Sequence, residues 1–228
     1  METNIIDILF DNYPENANPE LEALDIFPAE HIAALSSNIF DSDALNMLVY
    51  ENIFADGLAD LEASVGRVAE GFEYPAPEVF HSENSYGEYR PENPFDPADD
   101  RIGADIEIVQ SINASYGNPH AYDVITAHEM AHAKLVDSGL CRYLTSYAEE
   151  VLCDIYSGIY SGHKGLPAEV FTDAIGNTPA DAAHPAGSER AGFYLRAYEL
   201  AAGYSADHPF FKTMINNLIN EAIQKYNC

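Results

Sequence analysis

The chain has 228 residues, 38 of them acidic and 10 basic, for a formal charge of −28. So acidic a surface repels phosphate backbones and anionic headgroups, which argues against nucleic acid or a lipid surface as partner; a salt-tolerant soluble surface or a cationic substrate fits it better. No run of about 18 apolar residues occurs, so no membrane span is expected, and the length suits one domain, with or without an appendage.

The N-terminus, from Met1 to Asp7, lacks a basic n-region and a long apolar stretch. It does not read as a secretory signal, and the expectation is a cytoplasmic protein, with export by another route left open. Residues 18–36 and 41–70 carry Leu, Ile, Phe and Ala at helical spacing and read as packing helices. Residues 74–104 collect Pro75, Pro77, Gly87, Pro91, Pro94, Pro97 and Gly103, the composition of a long ordered loop. Residues 1–104 are therefore expected to form a helical N-terminal segment with an acidic, proline-rich loop, and 105–228 the chemical core, the two making one compact unit. The loop is placed to act as a lid or pro-segment over a cleft; the plainer expectation is that this segment completes the core.

Further on, Ile106 to Gln110 alternates like a strand with one wet face. Asn118-Pro119 supplies an N-cap and an N1 proline, and Gly139 a stop, which bounds a helix over about 119–137. A second helix is expected from Ser146 to about Tyr160, and two more over 187–203 and 209–226. Three cysteines make no disulfide framework, so Cys141 and Cys153 are expected to remain thiols, Cys153 as a small buried hydrophobe pointing elsewhere around its helix.

The first of the four helices carries His128-Glu129-Met130-Ala131-His132. Residues i and i+4 share a helical face, so both imidazoles reach one ion while Glu129 projects toward an attacking water; this is the HExxH pattern of zinc hydrolases. Catalytic zinc usually takes a third protein ligand. Leu135 and Ser138 stand where a metzincin would place Gly and His, so that route is closed. The second helix offers Glu149 and Glu150, and only Glu150 has an aspartate, Asp154, four residues on and so on its own face. Ser146 with Glu149 reads instead as a capping box.

With these residues the chain resembles the gluzincin zinc metallopeptidases, in which HExxH is followed by Glu-x-x-x-Asp on a second helix. The matching residues are His128, Glu129, His132, Glu150 and Asp154, and the gap of 17 residues between His132 and Glu150 is similar to that of thermolysin-like enzymes and minigluzincins. His184-Pro185 with Arg190 looks like an element of the CAAX-prenyl-protease branch. The resemblance spans about 106–200 and does not extend to the first hundred residues. It implies an α+β, zincin-like fold, mainly helical with a small sheet packed on the HExxH helix, and an edge strand, here Ile106–Gln110, that pairs with extended substrate.

It further implies a zinc-dependent peptidase in which His128, His132 and Glu150 hold Zn2+, Glu129 is general base and acid, and Asp154 orients a ligand histidine. His184 is a candidate transition-state donor, otherwise a loop histidine; Arg190 is a candidate substrate or orienting residue, otherwise a helix-surface charge. Tyr147 and Tyr194 read as packing, and His163 as solvent-facing in a turn. The expected partner is a peptide or protein substrate, with oligomeric state open. Two rival readings stand beside it: a catalytically inactive, zinc-bound homologue serving as a protein interaction module, against which stands the intact Glu129, and a helical acidic binding protein with a fortuitous HExxH, against which stands the pairing of Glu150 with Asp154.

Overall fold

A computed structural model describes residues 42–91 and 100–227. The expected helix over 18–36, with the rest of residues 1–41, Cys228 and the part of the proline-rich stretch at 92–99 lie outside the described residues. Helix α1 (Ser42–Gly71) is followed by strands β1 (Glu78–His81), β2 (Glu88–Pro91) and β3 (Asp100–Ala104). Six helices complete the chain: α2 (Ile106–Tyr116), α3 (Asp123–Asp137), α4 (Ser146–Lys164), α5 (Glu169–Ile175), α6 (Gly187–Gly203) and α7 (Pro209–Tyr226), with a short 3-10 turn at Leu140–Tyr143. The architecture is α+β, mostly helical with one small sheet.

β3 is the central strand, parallel to β1 and antiparallel to β2, with Tyr89 opposite Ile102 and Glu88 opposite Gly103. β2 and β3 lie against α3, and α1 packs on α2 and α3, so contacts cross the expected boundary at residue 104. Leu61, Val65, Val68 and Ala69 form the buried stripe of α1 at helical spacing. Arg67 on that helix forks onto the buried carboxylate of Asp123 at 2.9 and 2.7 Å, and Ser64 bonds Thr126 at 2.7 Å, fixing α1 to the first turn of the motif helix.

Three sequence expectations are corrected. The stretch 74–104 is not one loop but contains the whole sheet, built from four- and five-residue strands too short to show a period. Ile106–Gln110 is helical: Ile106, Val109 and Ile112 are buried at spacing three, Asp105 caps the helix by accepting from the Glu107 N–H at 3.0 Å, and Gly117 ends it in the left-handed conformation. The motif helix begins at Asp123 rather than 119, because Asn118 turns the chain by accepting from the His120 N–H at 2.9 Å.

α4 is buried on almost every side from Val151 to Gly162, as befits a helix at the centre of a bundle. Its contact with α6 is unusually close. A Cβ at Gly158 would lie 2.4 Å from the Tyr194 carbonyl oxygen and one at Gly162 2.5 Å from that of Tyr198, so two glycines one turn apart let the backbones nearly touch. α6 and α7 span the expected residues, 187–203 and 209–226.

Candidate metal centre and its cleft

α3 and α4 lie side by side, and the site forms where their facing side chains meet. The His128 and His132 Nε2 atoms are 3.2 Å apart, one helical turn bringing both onto one face. From α4, Glu150 brings one carboxylate oxygen to 3.4 Å from His128 Nε2 and the other to 3.3 Å from His132 Nε2. Donors about 2.05 Å from a shared tetrahedral ion lie about 3.3 Å from each other, and each Nε2 has one Glu150 oxygen near that distance, a different oxygen for each histidine. The three residues form a group able to hold a metal ion, the one such cluster among the described residues.

Each histidine is held from behind by an acid. Glu149 Oε1 is hydrogen-bonded to His132 Nδ1 at 2.9 Å, and Asp154 Oδ1 lies 3.0 Å from His128 Nδ1 at ion-pair distance without hydrogen-bond geometry, so both acids sit on the side of the rings away from Nε2. The Asp154 contact was legible from its spacing after Glu150. The Glu149 contact was not, because the expected capping box does not form: Thr145 caps α4, accepting from the Ala148 N–H at 3.2 Å, and Glu149 points across to α3.

Arg190 is no surface charge. It is buried, forks onto Asp154 with two bonds of 2.9 Å, and lies 3.0 Å from Glu150 Oε2, the oxygen that also faces His128. It is therefore engaged with Asp154 and Glu150 rather than facing solvent.

The charges are mutually dependent. Burial works against ionisation of Glu150, but His128 and His132 outweigh it and depress its pKa. Burial likewise opposes charging of His128, yet Asp154 and Glu150 hold its pKa above the ordinary value. For His132 burial is outweighed by its hydrogen-bond partners Cys153, Glu149 and Glu150. Cys153 is free and fully buried, and its thiol sits beside His132 rather than away from it; burial pushes it up to about 12, so it stays a neutral thiol.

A cleft of about 450 Å3 opens onto this cluster. Its other wall is β2 with the residues before it, Tyr86 to Tyr89 and Pro91, so the edge strand beside the motif helix is β2 and not the segment at 106–110. Glu129 lines the cleft, is only 8% exposed, and makes no hydrogen bond or ion pair to another described residue. Tyr89 stacks parallel to His132 with centroids 6.3 Å apart and donates to Asp100 at 3.0 Å, which ties the sheet to the ligand.

His184 reaches the cleft from the loop between α5 and α6, with Nε2 3.6 Å from Glu150. Its Nδ1 lies 3.0 Å from both oxygens of Asp181, and Asp181 also accepts from the Ala183 and His184 N–H groups. Those bonds hold the Asp181 carboxyl down to about 2. The signal for Asp181 is the Asp-x-x-His spacing before the proline, which sequence reasoning passed over.

The remaining candidates are structural. Tyr147 donates to the Asp181 carbonyl and anchors the loop, while Tyr194 is buried and stacks on Phe171 at 4.3 Å. His163 lies in the last turn of α4, partly buried against Phe211 at 5.3 Å, rather than facing solvent in a turn. No helix among the described residues is long and apolar enough to cross a membrane. No family model, no curated protein and no solved structure matches the chain.

Proposed function

We propose that the chain is a zinc-dependent metallopeptidase of gluzincin type, a hydrolase of peptide bonds. The observation that carries this reading is the pairing of two features in one cleft. Three donor residues converge within 4.8 Å of one another, and a buried carboxylate, Glu129, with no hydrogen bond or ion pair to another described residue, stands on the same helix between the two histidines. A metal that only braced the fold would need no such carboxylate, which disfavours the interaction-module alternative.

His128, His132 and Glu150 would hold the zinc. When bound there, zinc supplies Lewis acidity, polarising the scissile carbonyl and making the attacking water acidic at neutral pH. Glu129 takes the proton of that water and passes it to the leaving amine. Asp154 and Glu149 fix the tautomer and orientation of the two histidines, and Arg190 pairs with Asp154 and with Glu150 itself. His184, oriented by Asp181, donates a hydrogen bond to the oxygen on which negative charge develops. The β2 edge offers backbone groups to an extended peptide.

The test is hydrolysis of an unstructured protein such as casein by the zinc-loaded chain and by Glu129→Gln, with zinc content measured in both. Activity in the first and a loss of several orders of magnitude in the second, at equal zinc, would support the reading. Equal zinc with no hydrolysis by either would favour the interaction module, and equal activity in both would remove Glu129 as the base.

A further inference from the structure

We infer that Gly87 is a positioning residue for Glu129: the missing side chain where the chain enters β2 sets the place that the Glu129 carboxylate occupies in the cleft. A Cβ built on Gly87 would lie 2.5 Å from Glu129 Oε1 and 2.9 Å from its Cγ, with Ile125 Cγ2 also at 2.9 Å. Two of the three nearest atoms thus belong to the one acid on which the proposed proton transfers depend, and the inference rests on that reading of Glu129.

The wall that carries Gly87 has little freedom to retreat. The Gly87 carbonyl accepts from Ser85 Oγ at 2.9 Å, the Tyr86 carbonyl accepts from the buried Tyr122 hydroxyl, and from Glu88 onward the chain is paired to β3. Ile125 is buried one turn before Glu129 on the same helix and cannot give way cheaply. The moving part under a methyl group at 87 is therefore the end of the Glu129 side chain. The backbone at Gly87 is outside the left-handed region, so alanine meets no conformational obstacle there and the steric contact alone opposes it. A displacement of about 1 Å in a catalytic group costs on the order of 100-fold in rate, so this contact is large enough to matter.

The experiment is a double-mutant cycle of Gly87→Ala and Glu129→Ala, read first as thermal midpoint in metal-free protein and so without reference to activity. Gly87→Ala is expected to lower the midpoint by roughly 3–10 °C when Glu129 is present and by less when residue 129 has been cut back to alanine, where only the Ile125 contact remains. Equal losses in both backgrounds, or no loss in either, would overturn the inference. Should Gly87→Ala fail to fold, the double variant is expected to fold; failure of both would also overturn it. The second readout is kinetic. Gly87→Ala with full zinc content should lose at least about 10-fold in kcat with KM little changed, since the base is displaced and the substrate wall is not. Unchanged kcat would refute the positioning role, whereas a wild-type chain without peptidase activity would refute the metallopeptidase reading and leave the stability cycle to decide the contact.

Discussion

Replacing Arg190 by Met removes a guanidinium that faces two acids in the interior while keeping an apolar stem of similar reach. Asp154 is fully buried and Glu150 13% exposed in its side chain, and both lose a partner at about 3 Å. Breaking a buried ion pair from one side costs about 3–5 kcal/mol, because the charges left behind stay desolvated. For a chain of this size each kcal/mol moves the thermal midpoint by about 2–4 °C, so a fall of about 6–20 °C is expected. The assay is thermal unfolding in EDTA, with Arg196→Met as control: Arg196 also forks onto an acid, Glu221, but both side chains are about half exposed, and such a pair contributes about 1 kcal/mol or less. The loss should be smaller at pH 6 than at pH 8, since a protonated His128 partly replaces the missing charge. If Arg190→Met lost no more than Arg196→Met, the view of Arg190 as the counter-ion of the metal site's acids would be refuted.

Glu149→Ala should still load zinc at saturating concentration but bind it about 10–100-fold more weakly, measured by competition with a chelator, because His132 loses the partner of its Nδ1. Zinc stabilisation should grow with pH. The His128 and His132 pKa values are raised in the metal-free fold, so the stability they contribute is fully present below about 6.5 and fades as pH rises through their folded values, whereas zinc needs both rings neutral. The midpoint difference between zinc and EDTA should accordingly be larger at pH 8.5 than at pH 6, and the reverse order would contradict the assignment. Gly158→Val should be strongly destabilising by calorimetry, since its side chain would meet the Tyr194 carbonyl across the closest helix contact.

The helices were legible where their signals were redundant. The pairs Gly187 to Gly203 and Pro209 to Tyr226 combine helical spacing with a clear start, and their bounds are the expected ones. The sheet was not, because β1, β2 and β3 are four or five residues long and interspersed with prolines, and they rest on partners distant in sequence, β2 and β3 on α3 and β1 on α1. The segment after β3 shows why alternation misleads. Ile106, Ile108 and Val109 fit a strand as well as a helix, and only Asp105 and Gly117 at its ends decide between them. In the site, the residues that meet through one helix face, His128 with His132 and Glu150 with Asp154, follow from spacing. The partners that arrive from another element have no spacing to betray them, as with Glu149 across to His132 and Gly87 from the strand edge; Arg190 from α6 stood out only through its place after His184-Pro185, which did not give Asp154 as its partner.

The central claim is that His128, His132 and Glu150 are the ligands of one zinc. The measurement that tests it most directly is metal analysis of the chain purified without added zinc, beside Glu150→Ala prepared the same way. About one zinc per wild-type chain, with most of it lost from the variant, is the expected result. A metal-free wild type that also fails to take up added zinc, or near-stoichiometric zinc in Glu150→Ala, would contradict it.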